Sequence, residues 1–168
     1  MAKRKRRKPQ PGEFEDPLSN YNPPSYEDEL ERSLCEGQMD VFNTTPIATV
    51  PPSASIQSAM KLMDELGVAC LLIVAGDRIM GVFSERDVLN HLADNFDALK
   101  DHPVSEVMTI DPSCVHETDI PAQALNLMAV GGFCHVPILN VDEKLVGVLG
   151  PRRVTAYIRK HFNRPAGG

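Results

Sequence analysis

The sequence predicts an α+β fold built from two β-α-β-β-α units related by a pseudo-two-fold axis. Three observations predict it. The apolar run Val68-Ala69-Cys70-Leu71-Leu72-Ile73-Val74 is followed, after a polar turn, by Ile79-Met80-Gly81-Val82-Phe83. The same order returns about 65 residues later as Phe133-Cys134-His135-Val136-Pro137-Ile138-Leu139, a turn, and Leu145-Val146-Gly147-Val148-Leu149. Each copy is preceded by a segment of helical period, ending in Lys61-Leu62-Met63 and Asn126-Leu127-Met128. A duplicated unit of this kind is read before anything else, because its copies bury faces against each other. Alone, a unit of about 60 residues has only a marginal core. The two copies are therefore expected to meet at a two-fold cleft, with the chemistry at the polar tips where they differ, Asp87 in one and Arg153 in the other.

Each element follows from local pattern. Residues 1–24 contain Pro9, Pro11, Pro17, Pro23 and Pro24 with little apolar content, and are expected to be disordered. Ser25 is the expected N-cap of a docking helix over 25–37, with Glu27, Asp28 and Glu29 in its first turn and Gly37 at its end. Tyr26, Leu30 and Leu34 give it one narrow apolar stripe. So short a helix is marginal in isolation, and the stripe is expected to dock on the repeat domain or on a partner subunit.

The first repeat is assigned to 38–97. Ile47 to Val50 reads as a short strand stopped by Pro51-Pro52. From Ser55 to Leu66 the residues Ile56, Ala59, Met60, Met63 and Leu66 share one helical face, and Gly67 is the stop. Ala69 to Val74 is apolar throughout, as suits a strand covered on both faces. Gly76-Asp77 signals the turn into a strand over Ile79 to Phe83. Val88, Leu89, Leu92 and Phe96 form the stripe of the second helix. Residues 98–104, with Pro103, read as a linker. The second repeat, 105–162, is expected to place strands at 113–116, 134–139 and 145–149 and helices over 120–130 and 151–162, before a flexible tail at 163–168.

Charge is unevenly spread. Residues 3–8 carry +6, residues 9–36 carry −7, and the remainder carries −5, for a net −6. The basic run resembles the start of a signal peptide, but Pro9, Pro11, Glu13, Glu15 and Asp16 follow where an apolar segment is required. A cytoplasmic location is expected, and residues 3–8 read first as a solvated tail that folds back on the acidic stretch beside it, with a sequence-independent grip on nucleic acid or another anionic surface as the alternative. No apolar run approaches the roughly 20 residues that span a membrane. Cys35, Cys70, Cys114 and Cys134 show no paired spacing and are expected to be reduced.

Two segments carry a family resemblance. Val104-Ser105-Glu106-Val107-Met108-Thr109-Ile110-Asp111 resembles the opening signature of a CBS domain. Gly81-Val82-Phe83-Ser84-Glu85-Arg86-Asp87-Val88-Leu89 resembles its closing signature: glycine, two apolar residues, Ser or Thr, two variable residues, Asp. The chain is thus similar to a tandem CBS pair, or Bateman module, over about residues 38–162. The resemblance implies an attached enzyme, channel or transporter as the usual host of such a pair, and none is expected here outside the tail.

The resemblance implies a binding module for adenosine-containing molecules: AMP, ADP or ATP, with S-adenosylmethionine as a further candidate. By its pattern Asp87 holds the ribose, Ser84 stands at the hydroxyl position with Arg86 between them, and Ala48, Ala69 and Cys70 line the adenine slot. His135 stands before the central strand at a ligand-contacting position. A carboxylate accepting from both hydroxyls of a cis-diol makes strong, charge-assisted bonds. Ser84 and Asp87 also read as a capping box, with Ser84 capping the helix and Asp87 reaching back. In the second repeat Gly150-Pro151-Arg152-Arg153 replaces that segment, with Pro151 at the favoured first helical position. Arg153 replaces the ribose acid, so Arg152 or Arg153 is expected either to meet phosphates across the cleft or to stand solvated at the helix start.

Zinc ligation by Cys114, His116, Cys134 and His135 is disfavoured, since neighbouring residues on a strand point to opposite faces. No nucleophile–base pair or phosphate-binding glycine loop stands out, so neither catalysis nor a required cofactor is expected. Two functions remain: a stand-alone sensor of an adenine nucleotide, acting as a homodimer on a regulated partner the sequence does not identify, or a ligand-free interaction protein tethered by its basic tail.

Overall fold

The computed structural model of the chain describes residues 22–162. The basic run, most of the expected disordered segment and the tail from 163 lie outside the described residues. In the first repeat β1 (Thr49–Val50), α2 (Ile56–Leu66), β2 (Cys70–Ala75), β3 (Arg78–Ser84) and α3 (Glu85–His91) follow in order, preceded by α1 (Glu29–Glu36). A short α4 (Phe96–Leu99) and β4 (Thr109–Ile110) lead to the second repeat: β5 (Val115–His116), α5 (Pro121–Gly131), β6 (Val136–Leu139), β7 (Leu145–Leu149) and α6 (Pro151–Phe162). The fold is α+β, with two mixed sheets in the orders β1-β2-β3-β4 and β5-β6-β7. No helix among the described residues is long and apolar enough to cross a membrane.

The two sheets repeat each other in detail. β1 runs parallel to β2 and β5 to β6, while β2–β3 and β6–β7 are antiparallel hairpins. Both hairpins carry a register shift at the same place, after Ile73 and after Ile138. Alternation along the strands sorts their side chains. Leu71, Ile73 and Phe83 enter the first core with Ile56, Ala59 and Met63 of α2. Val136, Ile138 and Leu149 enter the second with Ala124 and Tyr157. The opposite faces of the hairpins, Cys70, Leu72, Val82 and Val148, form a third cluster that joins the repeats. Apolar residues on both faces are therefore needed, which is why these strands read as unbroken apolar runs.

The sequence partition at 98–104 and 105 is crossed by the packing. Val104 and Val107 lie in the first core, the Val104 N–H donates to Ala54 O at 2.8 Å, and Thr109 pairs with Val82 on β3. Symmetrically, Met39 and Phe42 lie in the second core, and the Val148 N–H donates to Thr44 O at 3.1 Å. Each repeat thus borrows the segment that precedes the other. Glycine makes room for both crossings. A Cβ on Gly81 would stand 2.7 Å from Thr109 O, and one on Gly147 would stand 2.6 Å from Thr44 Oγ1.

Three expectations are corrected. The first helix is capped by Asp28, whose carboxylate accepts from the Glu31 N–H at 2.8 Å, and Ser25 lies outside it. An extended Asp directly ahead of the acidic turn is a strong cap, so helix starts three residues after Tyr26 rather than around it. Its Leu30 and Leu34 are half-buried against the second core, and Ser33 Oγ shares a hydrogen bond with Tyr157 OH; of the two expected docking places these contacts are with the repeat domain, so they no longer argue for a second subunit. The stripe of the second helix is broken. α3 stops at His91, Phe96 begins α4, and Leu89 is 72 % exposed. The intervening Asp94 and Asn95 favour a turn over a continued helix.

Candidate functional site

A cleft of about 1030 Å³ opens between the repeats. One wall comes from the first repeat. Gly67, at φ +61°, ends α2 in the left-handed conformation open to glycine. It turns the chain into Val68, Ala69 and Cys70, which line the cleft beside Ala48. These small side chains leave a flat space at the lip of β2. The other wall comes from the second repeat: Cys134 and His135 ahead of β6, then Gly150 and the first turn of α6 with Pro151, Arg152 and Arg153. Glu85, Val88 and Leu89 of α3 close one side.

Gly150 is required by its neighbour, since a Cβ there would stand 2.7 Å from His135 Cδ2. The imidazole packed on it has its Nδ1 buried without a hydrogen-bond partner among the described residues. Burial pulls the His135 pKa below its usual value, with Glu85 opposing and Arg153 reinforcing. The ring is therefore neutral near pH 7. Burial likewise pushes the Cys70 thiol up to about 12 against the pull of Arg153, so Cys70 serves as a small apolar wall residue.

The cationic end of the cleft is formed by α6. Arg152 Nη1 donates to Gly67 O at 3.0 Å. Arg153 is clamped more firmly: Nη1 donates to Asn43 O and Nη2 to Pro46 O, both at 2.7 Å. Burial lowers its pKa, the direction expected for a cation drawn out of water. Neither guanidinium is ion-paired with a carboxylate among the described residues. With the N–H groups of the α6 N-terminus beside them, they make this end suited to an anion.

Of the nine residues expected at the site, the cleft brings together Ala48, Ala69, Cys70, His135, Arg152 and Arg153. Ser84, Arg86 and Asp87 are not among its lining residues. Asp87 is 5 % exposed. Its Oδ2 accepts from Ser84 N–H at 2.8 Å and from Ser84 Oγ at 2.6 Å, completing the capping box. Its Oδ1 accepts from Thr109 Oγ1 at 3.0 Å. Arg86 turns away to the second repeat, with Nη1 on Gly132 O at 2.8 Å and Nη2 on Cys134 Sγ at 3.3 Å.

Cys134, Glu85 and Leu89 are lining residues that sequence reasoning missed. Aligning the repeats would have found Cys134, because it stands where the first copy has Ala69. Leu89 was hidden in an apolar helical stripe, and Glu85 carried no signal beyond the start of a helix.

Two sheet-and-helix repeats, swapped at their entering segments and parted by a cleft, define a tandem α+β module. The chain belongs to the CBS domain family, whose pattern matches residues 39–94 and 104–160. An uncharacterized 17.7 kDa protein of Acidianus ambivalens is 34 % identical over 128 residues, which cover 73 % of this chain and 76 % of that one. Inosine-5′-monophosphate dehydrogenase of Korarchaeum cryptofilum is 27 % identical over 130 residues, 77 % of this chain but only 26 % of the enzyme. Among solved structures, the CBS domain protein PAE2072 from Pyrobaculum aerophilum, complexed with AMP, is similar at a TM-score of 0.63 and 25 % identity, over 72 % of this chain and 94 % of that one.

Proposed function

We propose that the inter-repeat cleft binds an adenosine nucleotide of the AMP, ADP or ATP class and that the chain acts as a sensor, passing occupancy of the cleft to a regulated partner. One observation carries this reading: small residues of the first repeat, Ala48, Ala69 and Cys70, share a cleft with two guanidiniums of the second that have no carboxylate partner among the described residues. A flat base fits the small wall and a phosphate suits the cationic one. Similarity to the Pyrobaculum aerophilum protein complexed with AMP supports it. The ribose contact expected of Asp87 is not carried into this proposal, because three of its acceptor sites are filled within the cap and the crossing strand.

Signalling by such a module is a population shift. A ligand that touches both repeats stabilises one relative orientation by its difference in affinity for the two states. Calorimetric titration of the chain with AMP, ADP, ATP, adenosine and S-adenosylmethionine tests the reading. Heat with the nucleotides supports it; silence from every one of them at millimolar concentration removes it.

A further inference from the structure

Arg86 and Arg152 occupy the same place in the two repeats, the second residue of α3 and of α6. Each reaches across the repeat boundary to the glycine that caps the other repeat's first helix. Arg86 Nη1 donates to Gly132 O at 2.8 Å, and Arg152 Nη1 donates to Gly67 O at 3.0 Å. Both glycines are left-handed, at φ +70° and +61°, which turns a carbonyl out of each helix end toward the facing repeat. The result is a pair of symmetry-related clasps between the repeats.

The two clasps differ where it matters. Arg86 has a second anchor on Cys134 Sγ at 3.3 Å and is not a lining residue of the cleft. Arg152 has the Gly67 carbonyl as its hydrogen-bond partner, is exposed, and lines the cleft. The bond to the Gly67 carbonyl is charge-assisted through the guanidinium alone, whereas a phosphate adds a full opposite charge and can accept two parallel N–H bonds from the guanidinium fork. An anionic group in the cleft therefore competes more readily for Arg152, which lines it through one anchor, than for Arg86, which has two anchors and is not a lining residue.

We propose that Arg152 is a ligand-operated strap, exchanged from the Gly67 carbonyl to the phosphate of a bound nucleotide. This rests on the nucleotide reading above and supplies its transmission step. Both clasps are closed in the structure. Phosphate in the cleft opens the Arg152–Gly67 clasp and leaves Arg86–Gly132 closed, so the repeats re-orient about the clasp that remains.

The carbonyl carbon of Gly67, observed through the Val68 amide by triple-resonance NMR, reports the strap directly, because its shift responds to hydrogen bonding at its own oxygen. The carbonyl of Gly132, observed through Phe133, is the internal control. AMP is expected to move the Gly67 carbonyl of the full chain toward its position in nucleotide-free Arg152→Ala. The Gly132 carbonyl stays in place, and AMP adds no further movement at Gly67 in Arg152→Ala. That variant is also expected to bind AMP roughly tenfold more weakly. Calorimetric heat from AMP with an unmoved Gly67 carbonyl, or an equal movement in Arg152→Ala, overturns the strap and leaves nucleotide binding intact. An absence of heat from AMP overturns the nucleotide reading itself, and the strap with it.

Discussion

Asp87 and Arg153 stand at the same position of the two repeats and latch the same part of the fold with opposite charges. Asp87 accepts from Thr109 Oγ1 and so holds the strand that crosses onto the first sheet. Arg153 donates to the carbonyls of Asn43 and Pro46 and so holds the segment that crosses onto the second. Replacing an acid by a base at this position preserves the latch, because one crossing segment offers a hydroxyl and the other offers carbonyls. The departure of the second repeat from the family pattern thus has a structural cause independent of any ligand.

Asp87→Ala should destabilise the chain by about 1–3 kcal/mol, since it removes a cap and leaves the Ser84 N–H and Thr109 hydroxyl without their acceptor. Urea unfolding measures this. AMP affinity should change by less than about threefold, because Asp87 is not a lining residue of the cleft. A loss of tenfold or more would return the ribose contact to Asp87.

Gly81→Ala should cost more stability than Gly147→Ala. The new Cβ at 81 meets the backbone oxygen of Thr109 at 2.7 Å, which is fixed by strand pairing. At 147 it meets Thr44 Oγ1 at 2.6 Å and Thr44 Cβ at 2.8 Å, but Thr44 lies in a loop outside the strands, where the backbone can shift. Overpacking of the first kind costs typically about 1–3 kcal/mol. Equal unfolding free energies for the two variants would show that the crossing on β3 is not rigid.

His135 should make the protein acid-sensitive. Its folded pKa lies below the ordinary 6.5, because burial disfavours the charged ring. The unfolded chain then takes up a proton that the folded chain resists, so stability is full above pH 6.5 and declines as pH falls from there through the folded pKa. His135→Gln should remove this component, measured as the difference between wild-type and variant unfolding free energies at a series of pH values. A difference that does not vary with pH would mean that the ring is protonated as easily folded as unfolded.

The repeat made the architecture legible. Both hairpins and the helices ending at Gly67 and near Gly132 follow from periodicity and stop signals that occur twice. What escaped was anything set by contacts distant in sequence. Met39 and Thr109 read as parts of the repeats they precede in sequence, yet they pack on the other one. The site suffered most. Ser84 and Asp87 present a motif that a cap and a ribose contact share, and only the third hydrogen bond from Thr109, 22 residues away, distinguishes the latch. Ala48, Ala69 and Cys70 line one cleft together with Arg152 and Arg153 of the second repeat.

The central claim is that this cleft recognises a nucleotide through its phosphate, and a calorimetric comparison of AMP with adenosine tests it most directly. The account predicts that AMP binds the full chain with saturable heat and that adenosine, lacking the charged group, binds at least about tenfold more weakly, the worth of one hydrogen bond to a charged group. Equal affinities for AMP and adenosine, or no heat from AMP at millimolar concentration, would contradict it.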